Sequence, residues 1–94
     1  MFDIRRDDQG TILLTGRLDA VSAPTAREFL AAVAGPARLD FASLEYIASV
    51  GLGILIAQQR RLLDAGAGFV LTGLSPHLRE VFDLAGFADV FEFE

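Results

Sequence analysis

Residues 46–72, YIASVGLGILIAQQRRLLDAGAGFVLT, decide the fold. Tyr46–Val50 carries the chain out of a loop and into a helix predicted over roughly Gly51–Ala65. Leu52, Leu55, Ile56, Leu62 and Leu63 share one face of that helix. Gly53, Ala57, Arg60, Arg61 and Asp64 share the other, with Ile54 between them. A stripe of this kind is how a helix lies on a core. Gly66-Ala67-Gly68 ends the helix, because glycine takes the positive φ that helix C-termini favour. Phe69–Thr72 (FVLT) is a compact apolar run bounded by glycines, and reads as a strand.

The same alternation extends outward in both directions. Upstream, Phe2–Arg6 alternates apolar and polar residues, Asp7-Asp8-Gln9-Gly10 is a turn cluster, and Thr11–Thr15 (TILLT) is β-branched and apolar, so the two strands form a hairpin. Pro24 suits the first turn of a helix whose apolar stripe is Ala26, Phe29, Leu30 and Val33, and Gly35-Pro36 stops it. Ala37–Phe41 is a short strand candidate and Ala42–Glu45 a loop. Downstream, Ser75-Pro76 is an N-cap followed by Pro at the first helical position. Leu78, Val81, Phe82 and Ala85 form the stripe of that helix, Gly86 ends it, and Val90–Glu94 alternates again. The order ββαβαβαβ predicts an α/β domain with a mixed central sheet and helices packed on it.

Composition bounds the function. The chain has 94 residues, 52% hydrophobic and 22% charged, enough for one small core over residues 1–94. It has no cysteine, which excludes disulfides and thiolate metal sites, and its one histidine, His77, leaves no histidine-based zinc site and is read as a surface residue. The formal charge is −5 and all eight cations are arginine, so phosphate backbones are repelled and nucleic acid is not expected as a partner. The N-terminal MFDIRR has no apolar signal core, which predicts a cytoplasmic protein. The longest uncharged runs, Tyr46–Gln59 and Ala65–Leu78, have 14 residues each, whereas a membrane span needs about 20. Those runs could leave an apolar patch that pairs with another chain, and the oligomeric state stays open.

Little catalytic hardware remains. Gly51-Leu52-Gly53 opens a helix, but a dinucleotide fingerprint needs a third glycine where the chain has Ile56, and a phosphate loop needs a lysine that is absent. The two glycines are read as allowing a tight loop-to-helix turn. Asp19, Asp40, Glu45, Asp64, Asp83 and Asp89 are scattered without the spacing of an acid/base pair, and no cofactor is implied. Ser49 stands out, at the point where loop gives way to helix. Its hydroxyl can cap the first turn. Alternatively, it can carry a phosphate, which the free N–H groups of a helix N-terminus stabilise.

The run from Leu39 to Phe91, with LTGRLD at 14–19 and VFDLAGF at 81–87, resembles the STAS domain, the module of sulfate transporters and anti-sigma factor antagonists. As a bare domain the chain looks like a stand-alone antagonist. The resemblance implies a protein-binding module rather than an enzyme. The same resemblance implies regulation of transcription by partner switching, with an anti-sigma factor that is also a serine kinase as the partner and a serine phosphatase as the enzyme that would reset the switch. The family's D-S-[ST]-G-L motif falls on Ala48 to Leu52. The acceptor serine, Ser49, and Gly51 are kept, while Ala48 and Val50 replace the aspartate and the second hydroxyl. Asp19 matches an aspartate that the family places near the phosphoserine loop. The implied partner-binding residues are thus Asp19, Ala48, Val50, Gly51, Leu52 and Gly53. The alternative is a constitutive regulatory subunit that docks on another protein, such as a lipid-transport ABC ATPase, without phosphorylation.

Overall fold

The computed structural model describes every residue, Met1–Glu94. In chain order the elements are β1 (Asp3–Arg6), β2 (Ile12–Leu18), α1 (Ala23–Ala31), β3 (Ala37–Ile47), α2 (Ser49–Asp64), β4 (Phe69–Thr72), α3 (Pro76–Leu84) and β5 (Glu92–Phe93). This is the expected ββαβαβαβ order. The five strands form one sheet in the order in which they occur along the chain. β1 is antiparallel to β2 and every later pair is parallel.

That order places the helices. Each parallel pair needs a crossover, and crossovers are right-handed. Because every crossover steps the same way along the sheet, all three helices lie on one face. The side chains agree. Ile12, Leu14 and Leu18 of β2, Leu39 and Phe41 of β3, and Phe69 and Leu71 of β4 are buried, and Leu13, Thr15, Arg17, Arg38, Asp40, Val70 and Thr72 between them are partly or fully exposed. The second face of the sheet is open to solvent.

One expected boundary is corrected. β3 does not stop at Phe41 with a loop over Ala42–Glu45; it runs on to Ile47. Along β2 the register passes from Leu13↔Asp40 to Thr15↔Ser43, and from Gly16↔Leu44 to Arg17↔Tyr46. β3 therefore carries one additional residue at each step. These two bulges space its buried residues as Leu39, Phe41, Leu44 and Ile47, which hides the two-residue period of a strand.

Packing ties the helices to the sheet. Phe82 of α3 makes edge-to-face contacts with Phe41, Phe91 and Phe93 at centroid distances of 6.2, 5.8 and 5.9 Å. These contacts fasten the short strand β5 to the core. Ser75 caps α3, its Oγ accepting the Leu78 N–H at 3.1 Å, as expected. The Arg61 guanidinium of α2 donates to the Leu30 and Val33 carbonyls at 3.1 and 2.8 Å and so satisfies the C-terminal end of α1. Leu63, expected on the buried face of α2, is 51% exposed. Gln59 takes part of that face instead and is 3% exposed. Its amide accepts from the Phe69 N–H at 2.7 Å and donates to the Val90 carbonyl at 2.9 Å.

Candidate partner-binding site

β2 and β3 end side by side, with Leu18 in register with Ile47. The Ala48 N–H donates to the Leu18 carbonyl at 2.8 Å, and α2 begins one residue later. The carboxyl ends of two neighbouring parallel strands thus bring the β2–α1 loop and the start of α2 to one edge, where open α/β sheets carry their sites.

The helix start is built without a side-chain cap. Ala48 is the N-cap, in extended conformation, and its carbonyl accepts the Gly51 and Leu52 N–H groups at 2.9 and 3.1 Å. Ser49 follows as the first helical residue. Its hydroxyl is exposed and takes no part in hydrogen bonds within the chain. The capping reading of Ser49 is therefore corrected: the cap position falls one residue earlier, on a residue with no side-chain acceptor. The Gly51 N–H is taken by the Ala48 carbonyl, and the Ser49 and Val50 N–H groups of the first turn remain available.

The two glycines serve differently from the expected tight turn, and neither has a positive φ. A Cβ on Gly51 would lie 2.7 Å from Leu18 Cγ and 3.0 Å from Ile47 Cγ1, so Gly51 lets the helix start press against both strand ends. Gly53 faces open space, with nothing within 4 Å of such a Cβ. Gly51 and Leu52 are buried and support the surface from below. Ser49, Val50 and Gly53 are exposed, and Ala48 is partly so.

Asp19 is a brace within its own loop. Its Oδ1 accepts from the Val21 N–H at 3.1 Å and from the Ser22 N–H and hydroxyl at 3.2 Å each. The Asp19 N–H donates to Ser22 Oγ at 3.0 Å, and the Ser22 hydroxyl lies 2.8 Å from the Arg17 carbonyl. The Ser22 N–H, with smaller effects from the Ser22 hydroxyl, the Val21 N–H and the Arg17 charge, holds the Asp19 carboxyl below the usual carboxylate range against an opposing effect of desolvation. The loop it shapes leads from Leu18, whose carbonyl holds Ala48.

Two side chains that the sequence did not single out, Val21 and Tyr46, complete the surface together with Val50. Val21, Tyr46 and Val50 are 91%, 36% and 38% exposed, and the Arg17 guanidinium sits 4.3 Å from the Tyr46 ring centroid. The largest concavity, about 520 Å³ and lined by Gln59, Leu63, Phe69 and Val90 among others, lies at the opposite ends of the parallel strands. Ser49 lines none of the three main concavities, which suits a macromolecular partner better than a small substrate. No three acidic or histidine side chains cluster as metal ligands, and no helix is long and apolar enough to cross a membrane.

Such an α/β module, presenting a helix start and a neighbouring loop on one sheet edge, is a binding fold. A family model described as "Mlab, STAS domain" matches residues 2–92, and the chain belongs to the STAS domain family. It is 30% identical to the anti-sigma-B factor antagonist of Listeria monocytogenes over 96% of this chain and 82% of that protein. A stretch of 53 residues is 40% identical to BtrV of Bordetella bronchiseptica, covering 56% of this chain and 46% of that protein, so the chain spans about half of that relative's length. An anti-sigma factor antagonist from Mycobacterium paratuberculosis has the same fold, with a TM-score of 0.82 at 26% identity, over 99% of this chain and 83% of that one.

Proposed function

We propose that this chain is an anti-sigma factor antagonist, a regulatory binding protein of the cytoplasm rather than an enzyme, whose docking is switched by phosphorylation of Ser49. The observation that carries this reading is the free Ser49 hydroxyl. It is exposed, it has no capping duty, and it stands among uncharged neighbours at the start of α2. Asp19, Ala48, Val50 and Gly53 form the contact surface around it, with Gly51 and Leu52 beneath. The partner is an anti-sigma factor with serine kinase activity, and a serine phosphatase resets the switch.

The physics follows from charge. The unmodified loop over Ala48–Gly53 carries no charge, so a partner can approach its backbone closely. Phosphorylation adds about −1.5 to −2 charges and three acceptor oxygens. The helix start tolerates that charge. A closely fitting interface does not, because the phosphate must be desolvated there. A loss of ~2.8 kcal/mol weakens binding about 100-fold. Binding is then switched without refolding. The test is to incubate the protein with an anti-sigma factor serine kinase of the same organism and ATP, and to map phosphate by mass spectrometry. Label on Ser49 that disappears in Ser49→Ala is the expected result; equal labelling of that variant refutes the assignment.

A second reading rests on Ala48 and Val50, which replace the carboxylate and hydroxyl of the family motif. The same surface would then dock constitutively on another protein, such as a lipid-transport ABC ATPase. An ABC ATPase gene beside this one, in place of an anti-sigma kinase gene, favours that reading.

A further inference from the structure

We propose that Arg17, stacked on Tyr46, receives a carboxylate of the partner protein, so that the docking surface continues from the Ser49 loop onto the open face of the sheet. This rests on the antagonist reading and names the chemistry of the partner at a position outside the motif.

The second bulge of β3 creates the pair. Gly16 lies opposite Leu44, so an unbroken ladder would set Arg17 opposite Glu45. The additional residue moves the pairing on, and Arg17 meets Tyr46 instead. The bulge thus exchanges an acidic neighbour for an aromatic one. The ion pairs of the fold are Arg5–Asp3, Arg38–Glu94 and Arg79–Asp83, and Arg61 is spent on backbone carbonyls. Arg17 has no carboxylate within ion-pairing distance, neither Glu45 nor Asp19. Its guanidinium donates no hydrogen bond within the chain, and its Cζ lies over the Tyr46 ring, 4.3 Å from the centroid.

A guanidinium fixed by stacking, with its donors unused, is arranged for bidentate pairing with a carboxylate. Stacking lowers the entropy lost when the pair forms, and Arg and Tyr dominate interface energetics. Continuity with the Ser49 edge comes from the chain itself. Arg17 immediately precedes Leu18, which holds Ala48, and Tyr46 lies three residues before Ser49. The partner segment that covers Val50 and Val21 with apolar groups therefore carries an Asp or Glu that reaches Arg17.

The experiment is calorimetric titration of the unphosphorylated full chain into an anti-sigma factor serine kinase of the same organism, at several salt concentrations. R17E is expected to weaken binding by about 10-fold or more, R17K by less, and R17Q to flatten the dependence of affinity on salt. Y46F should bind as the wild type does and Y46A more weakly, because the ring and not the hydroxyl holds the arginine. Thermal unfolding of each variant confirms that the exposed substitutions leave the fold intact. Wild-type binding that R17E leaves unchanged overturns this inference alone. A wild-type chain that does not bind the anti-sigma factor overturns the antagonist reading and this inference together.

Discussion

Gly51 packs so closely on Leu18 that a Cβ in its place would come within 2.7 Å of Leu18 Cγ. The contact sets the height of the α2 start above the sheet edge, and with it the position of Ser49. Gly51→Ala should force the helix or the strand ends apart, at a cost of about 1–3 kcal/mol. Gly53→Ala, two residues on, meets open space in a helix and should stabilise by about 0.5–1 kcal/mol. Urea denaturation of both variants checks the opposite signs.

A negative charge at position 49 should have two effects of opposite sense. Ser49→Asp places a carboxylate at the first position of α2, beside unsatisfied N–H groups, and should raise stability by about 0.3–1 kcal/mol at low salt. The same variant should lose affinity for the anti-sigma factor. Thermal unfolding and titration calorimetry on one preparation separate the two effects.

Gln59 spans α2, β4 and the segment before β5 with its two amide bonds to Phe69 and Val90. Gln59→Leu keeps the bulk and leaves a buried N–H and a carbonyl without partners, a loss of about 1–3 kcal/mol. Faster hydrogen exchange at the Phe69 amide is the local signature to measure.

The Asp19 carboxyl is depressed in the folded chain, chiefly by the Ser22 N–H. A group of this kind binds its proton more readily when unfolded. Its stabilising contribution is complete above the unfolded carboxylate range and fades as pH falls below about 4 through the lower folded value. In Asp19→Asn that part of the acid sensitivity should be missing, which denaturation curves recorded between neutral and acid pH will reveal.

Much of this architecture is legible from residue order. Phe69–Thr72 and the Ser75-Pro76 cap are found where the sequence sets them, because each is a local choice of apolar run or capping hydroxyl. β3 is not legible to its end, since its bulges break the alternation that identifies a strand. Gln59 was missed although it lies three and four residues from Ile56 and Leu55, on the buried stripe, because its polarity masks its position. Ser49 was legible as a site and not as a conformation. Whether it or Ala48 occupies the cap position depends on where β3 releases the chain, and the pairing of Leu18 with Ile47 decides that. Arg17 and Tyr46 carry no shared signal in sequence, being brought together by a bulge.

The sheet keeps its strands in the order of synthesis. A chain leaving the ribosome therefore finds, for each new strand, an edge already exposed by the one before it. No later segment must be inserted between two earlier ones, although each parallel pairing waits on its crossover helix and is slower to form than the β1–β2 hairpin. The last edge is closed by Glu92 and Phe93 alone, so losing that pairing would leave the β2–β3 pair that carries the Ser49 loop as it is.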